Sequence, residues 1–345
     1  MASRRKSLGW YLTSPQSDFR QAKCEASERF LGVSRRGKKI LHSKAAPGIY
    51  TNLVGVGRGE KFTGRKPQGK PAITFYVKKK LPLSQLDRRL VLPRTIAGLP
   101  CDVIACGTIH CAAGPVLFNR LDPLIPGAQI QVAGGAPGTL GGFVRDRDGD
   151  VCLITNCHVL SPDLRLGVGE PVYQPSIAFR DYRQIATVKA IVPVSTSNKN
   201  RVDVALARLE DGIAYDPVIP GFLPFEGTGA PEFEDYDDGG WPEARVSKYG
   251  QATDLKQALL HSADADVPVD YDHRVAIFTG VYIALGASFA AKGDSGSAVY
   301  NTGNRKVVGL LTGVSGIASV ISPSSAIESS LPGLLWLTQP GLAPY

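Results

Sequence analysis

The stretch that decides the fold is KGDSGSAVY, residues 292–300, in the last fifth of a 345-residue chain. Ser295 lies in it between Gly293 and Gly296, just before the apolar residues AVY. Glycines permit backbone conformations that a side chain resists, so two of them around one residue indicate a tight turn. The stretch therefore predicts an exposed serine in a turn that leads directly into a β-strand.

Two earlier segments carry the residue types that make such a serine reactive. LITNCHVLS, residues 153–161, places His158 directly after an apolar strand, and NRVDVALARL, residues 200–209, places Asp203 at the start of another. A serine hydroxyl is a weak nucleophile until a neutral imidazole takes its proton, and a carboxylate then holds that imidazole in the right tautomer. A histidine after a strand or an aspartate before one is common, but the three segments together predict a His158–Asp203–Ser295 triad.

From about residue 129 onward, short apolar runs alternate with turn residues at close spacing, and no long helical period interrupts them. This pattern is typical of an antiparallel sandwich or barrel. RDRDGDV, residues 145–151, fits a hairpin with Asp148 and Gly149 at its turn. The runs are QIQVAGG, TLGGFVRDR, DVCLITNCHVL, QIATVKAIVPV, DVALARLE, ARVSKYG, VAIFTGVYIAL, SAVYNTG and KVVGLLTGV.

The three segments resemble the motifs T-A-x-H, D-[IV]-A-L and G-D-S-G of the trypsin/chymotrypsin superfamily, over roughly residues 129–340. The resemblance implies a mainly β, chymotrypsin-like double β-barrel with its site in the cleft between the barrels. It implies a serine endopeptidase that acts on a protein or peptide through an acyl-enzyme, with no metal and no cofactor. The backbone N–H groups of Gly293 and Ser295 are then expected to bind the oxyanion.

The same resemblance assigns a substrate pocket. Its floor corresponds to Phe289, and its wall corresponds to Thr312, Gly313 and Val314. A floor without a negative charge argues against cleavage after Arg or Lys. A small or medium apolar residue is therefore expected at P1, the substrate position before the cleaved bond.

Asp294 departs from the pattern of secreted members of the superfamily. In those enzymes a new apolar N-terminus, usually Ile-Val-Gly-Gly, pairs with the aspartate before the catalytic serine. No such sequence precedes His158 at a suitable distance, and TLGGFV, residues 139–144, lies too close to it. We therefore expect Asp294 to be bound by internal partners. Whether the enzyme is constitutively active stays open.

The N-terminal third is expected to comprise a basic segment (1–45), a small α+β accessory module (46–113) and a linker (114–128), ahead of the protease-like domain (129–345). SDFRQAKCEASERFLGV, starting at Ser17, predicts a helix that Gly32 ends. In the module, GVGRGEK, FYVKKKLP and IAGLPCDV resemble the region before the protease domain in bacterial and plant narrow-leaf-type proteases.

The net charge of +8 is unevenly distributed. Residues 1–80 hold 19 basic and 4 acidic residues, whereas the remainder holds 20 basic and 27 acidic ones. This asymmetry indicates a solvated basic tail, or an arm that binds an anionic partner or the acidic part of its own chain. Nucleic acid is disfavoured as that partner, because no aromatic residues are interleaved with the basic ones.

The N-terminus, MASRRKSLGWYLTSPQ, has no apolar run behind its basic start. No secretory signal and no membrane span are therefore expected, and the six cysteines are interpreted as free thiols of a cytoplasmic protein. Three other functions stay open. The first is an esterase or amidase that uses the same triad on small substrates. The second is an inactive or latent binding protein of this fold, and the third places the main function in the basic arm.

Overall fold

The computed structural model describes residues 8–32, 52–63, 66–86, 91–111, 119–219, 224–231, 244–272 and 274–343. Residues 1–7 and 33–45 of the predicted basic segment, and residues 114–118 of the predicted linker, lie outside these ranges. Within them the chain is mainly β, as its alternation of apolar runs and turns predicts.

Four short α-helices are distributed along the described chain: α1 (Leu8–Thr13), α2 (Asp18–Ala26), α3 (Cys157–Leu160) and α4 (Ser324–Ser330). A single 3-10 turn spans Leu83–Gln85. The strands are β1 (Leu53–Thr63), β2 (Lys66–Val77), β3 (Thr95–Ile96), β4 (Leu99–Ala105), β5 (His110–Cys111), β6 (Gln129–Val132), β7 (Gly138–Thr139), β8 (Gly142–Arg145), β9 (Val151–Thr155), β10 (Pro171–Gln174), β11 (Arg183–Val192), β12 (Lys199–Asn200), β13 (Val204–Leu209), β14 (Ala214–Tyr215), β15 (Arg245–Gly250), β16 (Asp254–Tyr271), β17 (Arg274–Leu285), β18 (Ala298–Asn301), β19 (Val307–Val314), β20 (Ala318–Pro323), β21 (Leu335–Trp336) and β22 (Gly341–Leu342).

The predicted N-terminal helix is confirmed at both of its ends. The Ser17 hydroxyl accepts a hydrogen bond from the Phe19 backbone N–H and caps α2. The helix continues into one π-helical turn, Ser27–Leu31, and ends at Gly32, whose φ of 67° lies in the left-handed region. The helix therefore begins and ends where its sequence signals place the boundaries.

The first large sheet runs in the order β21-β8-β9-β13-β11-β10-β6-β7. Its inner face packs a continuous apolar cluster that includes Phe143 and Leu153. Strands β8 and β9 form the predicted hairpin, with Arg145 opposite Val151 and Gly149 at a φ of 90° in the turn. This sheet carries two of the predicted triad residues, because His158 follows β9 and Asp203 precedes β13.

The second sheet closes on itself through β15 to β20, since β16 pairs with both β15 and β17. Its interior holds a second apolar cluster, which includes Val246, Val299 and Leu311. Ser295 precedes β18 in this barrel. A further cluster, with Ile154 and Leu310, joins the barrel to the first sheet and brings the three strand ends together.

The N-terminal strands extend the second sheet rather than forming a separate one. Strand β1 pairs with β16 on one side, with Val56 opposite Asp266, and with β2 on the other, and β4 and β3 follow. Gly57 allows this close approach, because a Cβ there would lie 2.7 Å from the Ser262 hydroxyl. Helix α2 covers these strands, and its Phe19 packs in their apolar cluster.

Two residues of the basic N-terminal region bind acidic residues of the second barrel. Lys23 is buried with Nζ 2.9 Å from Asp264 and 2.8 Å from Asp266, and Arg58 lies 3.0 Å from Asp264. These carboxylates hold the pKa of Lys23 above its usual value despite burial, which acts in the opposite direction. Some basic residues of the N-terminal region thus bind acidic residues of the same chain, and an external anionic partner stays a prediction.

Candidate active site

The structure brings His158, Asp203 and Ser295 into one hydrogen-bonded line. His158 Nδ1 lies 2.6 Å from Asp203 Oδ2, and His158 Nε2 lies 2.8 Å from Ser295 Oγ. An ionised carboxylate only accepts, so Nδ1 carries the proton and Nε2 accepts from the serine hydroxyl. Asp203 and Ser295 are fully buried. The prediction of an exposed serine is wrong, because the turn packs against the first sheet, where the Thr139 N–H donates to the Ser295 carbonyl at 2.8 Å. The arrangement has the geometry that proton transfer from serine to imidazole requires.

Local structure holds the histidine against the aspartate at three points. His158 lies in the single-turn helix α3, and its backbone N–H donates 3.2 Å to Asp203 Oδ1. The side-chain amide of Asn156, the residue before the helix, donates 2.7 Å to the backbone carbonyl of Asp203. These bonds fix the imidazole in position in addition to the bond at Nδ1.

Tyr271 is a site residue that the sequence did not indicate. Its hydroxyl donates 2.8 Å to Asp203 Oδ2, and its ring meets the His158 ring edge-on, with centroids 5.3 Å apart. The hydroxyl of Ser322 accepts from the Asp203 backbone N–H at 3.1 Å. Both contacts come from the second barrel, so the buried carboxylate is bound from both halves of the molecule.

The turn around Ser295 depends on its two glycines. Gly293 has a φ of 105° and Gly296 a φ of 88°, which side chains rarely adopt. A Cβ on Gly296 would lie 2.0 Å from the Thr155 hydroxyl oxygen and 2.5 Å from a backbone carbonyl. Within the described ranges, the backbone N–H groups of Gly293 and Ser295 donate to no protein acceptor.

The expectation of internal partners for Asp294 is confirmed. Its carboxylate binds Lys248 Nζ at 2.8 Å, with both side chains fully buried, and also accepts from the Thr253 hydroxyl at 2.8 Å. Backbone N–H groups of Ala252, Thr253 and Ala291 also donate to the carboxylate, at 2.8 Å, 3.2 Å and 2.9 Å. Burial lowers the pKa of Lys248, while the adjacent carboxylate acts in the opposite direction. The residue before Ser295 is thus held without a new N-terminus.

The four predicted pocket residues lie on the second barrel. Phe289 is 1% exposed and packs in the barrel's apolar cluster together with Val314. Thr312 is buried, and its hydroxyl is 2.7 Å from that of Ser322, the residue bound to Asp203. Gly313 and Val314 form backbone pairs with β5. Three of these residues therefore share one strand, β19, while Phe289 lies between β17 and β18.

Cys157 precedes His158, but its environment keeps the thiol in its neutral form. It is fully buried, and burial raises its pKa above the ordinary range. A thiolate, not a thiol, is the reactive form of cysteine. Ser295 is therefore the nucleophile that this geometry favours.

Asp146, Asp148 and Asp150 cluster at the β8–β9 turn and bind one ammonium group. Lys189 Nζ lies 3.0 Å from Asp148 and 2.7 Å from Asp150, and it also bonds Asp146. The cluster lowers the free energy of the protonated lysine and raises its pKa. A cationic side chain of the chain itself thus occupies the centre of these carboxylates.

The sequence model of the family described as Trypsin matches residues 128–331, which is more than half of the chain. The chain belongs to the trypsin family. This trypsin-family chain has the mainly β, chymotrypsin-like fold that its motifs predict. Among curated proteins, none matches it. In its described part, no helix combines the length and the apolar character that crossing a membrane requires.

Solved structures that are similar to this trypsin-family chain include three proteases of low sequence identity. Thermobifida fusca protease A is 17% identical, with 62% of this chain and 98% of that one covered and a TM-score of 0.43. Cellulomonas bogoriensis chymotrypsin is 18% identical, with 64% and 100% covered and a TM-score of 0.43. Nocardiopsis protease is 14% identical, with 63% and 100% covered and a TM-score of 0.42.

Proposed function

We propose that the protein is a serine endopeptidase in which Ser295 is the nucleophile, His158 the general base and Asp203 the residue that orients the imidazole. The observation that carries this proposal is the hydrogen-bonded line from Asp203 Oδ2 to Ser295 Oγ, with its two bonds of 2.6 Å and 2.8 Å. Membership of the trypsin family supports it.

In the proposed reaction, Ser295 Oγ attacks the carbonyl carbon of the substrate while its proton passes to His158 Nε2. The resulting imidazolium is stabilised by Asp203, and the oxyanion accepts hydrogen bonds from the N–H groups of Gly293 and Ser295. The amine then leaves with the proton from His158. A water molecule repeats the sequence on the acyl-enzyme, releases the acid and restores the serine.

The substrate position before the cleaved bond is proposed to be a small or medium apolar residue. The side chains of Phe289 and Val314 are apolar and uncharged, so neither can form an ion pair with a basic or acidic side chain of the substrate. A neutral, apolar wall favours substrates whose side chains lose little hydration on binding.

Hydrolysis of casein, an unstructured protein substrate, tests the proposal with three proteins: wild type, Ser295→Ala and Ser27→Ala. Ser27 is a buried serine of the N-terminal region whose hydroxyl forms no hydrogen bond within the described part of the chain, so it controls for the loss of a serine elsewhere. We expect wild type and Ser27→Ala to release peptides and Ser295→Ala to release none.

Parallel turnover of p-nitrophenyl acetate separates the other functions. Ester hydrolysis without any release of peptides from casein or from short peptides, both in wild type and in Ile109→Ala, would show a small-substrate esterase. Neither activity in a folded wild type would show a protease-like binding protein. Either result contradicts the proposed endopeptidase.

A further inference from the structure

Strand β5 of the chain's own N-terminal region lies beside the predicted substrate wall. Its two residues pair antiparallel with β19, with His110 opposite Val314 and Cys111 opposite Gly313. On its other side, His110 pairs with Asp270 of β16. The strand thus fills the space between two strands of the second barrel.

The edge of β19 that β5 covers leads directly to Ser295. Two residues before Gly313, Leu311 accepts from the backbone N–H of Gly296 at 2.9 Å and donates to the Ser297 carbonyl at 2.9 Å. Because β5 runs antiparallel to β19, its C-terminal end faces this part of the strand. An extended peptide that adds to an exposed strand edge forms the same main-chain bonds. Strand β5 therefore has the position and direction of a peptide approaching Ser295.

The opposite side of β5 is formed by the strand that reaches the triad. Asp270, which pairs with His110, directly precedes Tyr271, and the Tyr271 hydroxyl binds Asp203. The backbone N–H of Asp270 also donates to the Ile109 carbonyl at 3.5 Å. Strand β5 thus lies in a groove between two strands. Strand β19 forms one side of the groove, and β16, which ends at Tyr271, forms the other.

Ile109 anchors this segment in the groove. Its side chain is 2% exposed and packs in the apolar cluster that holds Tyr271 and Phe278. Gly107, with a φ of 79°, turns the chain into the groove after β4. Burial of a whole isoleucine side chain is a strong attachment, because apolar area removed from water is the main favourable term of packing.

We propose that residues 107–111 are a built-in blocking strand, which occupies the peptide-binding edge of Gly313 and Val314 and must leave before an extended substrate docks. This inference rests on the proposed function, since it concerns access to the same Ser295. The apparent affinity for extended peptides is then the affinity of the open form multiplied by the fraction of molecules in which the strand has left the edge. Small reagents that contact only the serine do not need that edge.

The test shortens the anchoring side chain of Ile109 and compares two readouts. The readouts are hydrolysis of succinyl-Ala-Ala-Ala-p-nitroanilide, which needs the strand edge, and labelling of Ser295 by a small fluorophosphonate, which does not. We expect Ile109→Ala to raise kcat/KM for the peptide roughly tenfold or more, with an unchanged labelling rate, because truncation opens the edge in more molecules.

Ile185→Ala is the matched control, because Ile185 is equally buried but lies in the first sheet. It loses comparable packing and is expected to leave the ratio of the two rates unchanged. Equal ratios in Ile109→Ala and wild type, with both proteins folded and labelled, would overturn the blocking strand. Absence of labelling in wild type would instead contradict the proposed function itself.

Discussion

The hydroxyl of Tyr271 donates a 2.8 Å hydrogen bond to Oδ2 of Asp203, and both side chains are buried. That oxygen also accepts from His158 Nδ1. Tyr271 ends strand β16 of the second barrel, whereas Asp203 precedes a strand of the first sheet. One buried carboxylate thus links the two halves of the molecule at the site itself.

Tyr271→Phe removes this donor and leaves the ring in place. Hydrogen bonds to charged groups contribute about 1.5–3 kcal/mol, so we expect kcat on a small ester to fall roughly tenfold to a hundredfold with little change in KM. Tyr300→Phe is the control, because Tyr300 is also buried but packs against Phe225, away from the triad. Equal kcat values in the two variants would show that the Tyr271 hydroxyl does not position Asp203.

Lys248→Met leaves the Asp294 carboxylate buried without its cation. Breaking a buried ion pair by removing one partner costs about 3–5 kcal/mol, so we expect a large fall in the free energy of unfolding, measured by urea titration. Because Asp294 adjoins Ser295, labelling of the serine should slow as well.

The double variant Lys248→Met/Asp294→Asn is the informative control for this ion pair. It removes both charges, and we expect it to recover most of the lost stability. If the destabilisation of the double variant equals the sum of those of Lys248→Met and Asp294→Asn measured separately, the two side chains are not coupled.

Gly296→Ala tests the turn around Ser295. The added methyl group meets the Thr155 hydroxyl and a backbone carbonyl, and overpacking of this kind costs about 1–3 kcal/mol. Gly149→Ala is the control, because Gly149 has a similar φ of 90° but no atom of the described residues lies within 4 Å of the added carbon. We expect both variants to lose stability from backbone strain, with a further loss, and loss of Ser295 labelling, only in Gly296→Ala. Identical melting temperatures and labelling in the two variants would contradict the close packing.

We expect the buried His261 to make the free energy of unfolding depend on pH, independently of the triad. Its Nδ1 lies 2.6 Å from the Tyr76 hydroxyl, and its Nε2 lies 3.3 Å from the Glu60 carbonyl, between the N-terminal strands and the second barrel. Burial lowers its pKa from 6.5 to about 4. Below the pKa of His261 in the unfolded chain, the unfolded chain binds a proton that the folded chain does not. Lowering the pH therefore favours unfolding until it reaches the pKa of His261 in the folded chain.

The stability that this histidine contributes is therefore complete above about pH 6.5 and is lost between about pH 6.5 and pH 4, by about 3 kcal/mol in total. His261→Gln keeps an acceptor and a donor but does not titrate. Urea titrations across this range should show a weaker dependence of unfolding free energy on pH in His261→Gln than in wild type. Parallel curves for the two proteins would exclude His261 as the source.

The hydrogen-bonded arrangement of His158, Asp203 and Ser295 was predictable because each of these residues lies in a short segment with a strong local pattern. Ser295 stands between glycines, and His158 and Asp203 adjoin apolar strands. Tyr271 and Lys248 carry no such local signal, because they meet their carboxylates across 68 and 46 residues of chain. Their roles arise only once the second barrel has closed.

Strand β16 shows the same limit at the level of the fold. Its sequence, DLKQALLHSADADVPVDY, includes Asp264 and Asp266, and aspartate is depleted in strands. Lys23 binds both carboxylates from the N-terminal helix, and this tertiary pairing outweighs the local preference. The two-residue strand β5 likewise exists only through its partners, so periodicity along the chain gave no sign of it.

Peptide mapping by mass spectrometry, after exposure of the wild-type protein to a fluorophosphonate, tests the proposed nucleophile at the level of a single residue. We expect one phosphonyl adduct, located on Ser295, and its absence in His158→Ala, which keeps the serine but lacks the base. An unmodified Ser295 in folded wild type, or equal labelling in His158→Ala, would contradict a His158–Ser295 nucleophile.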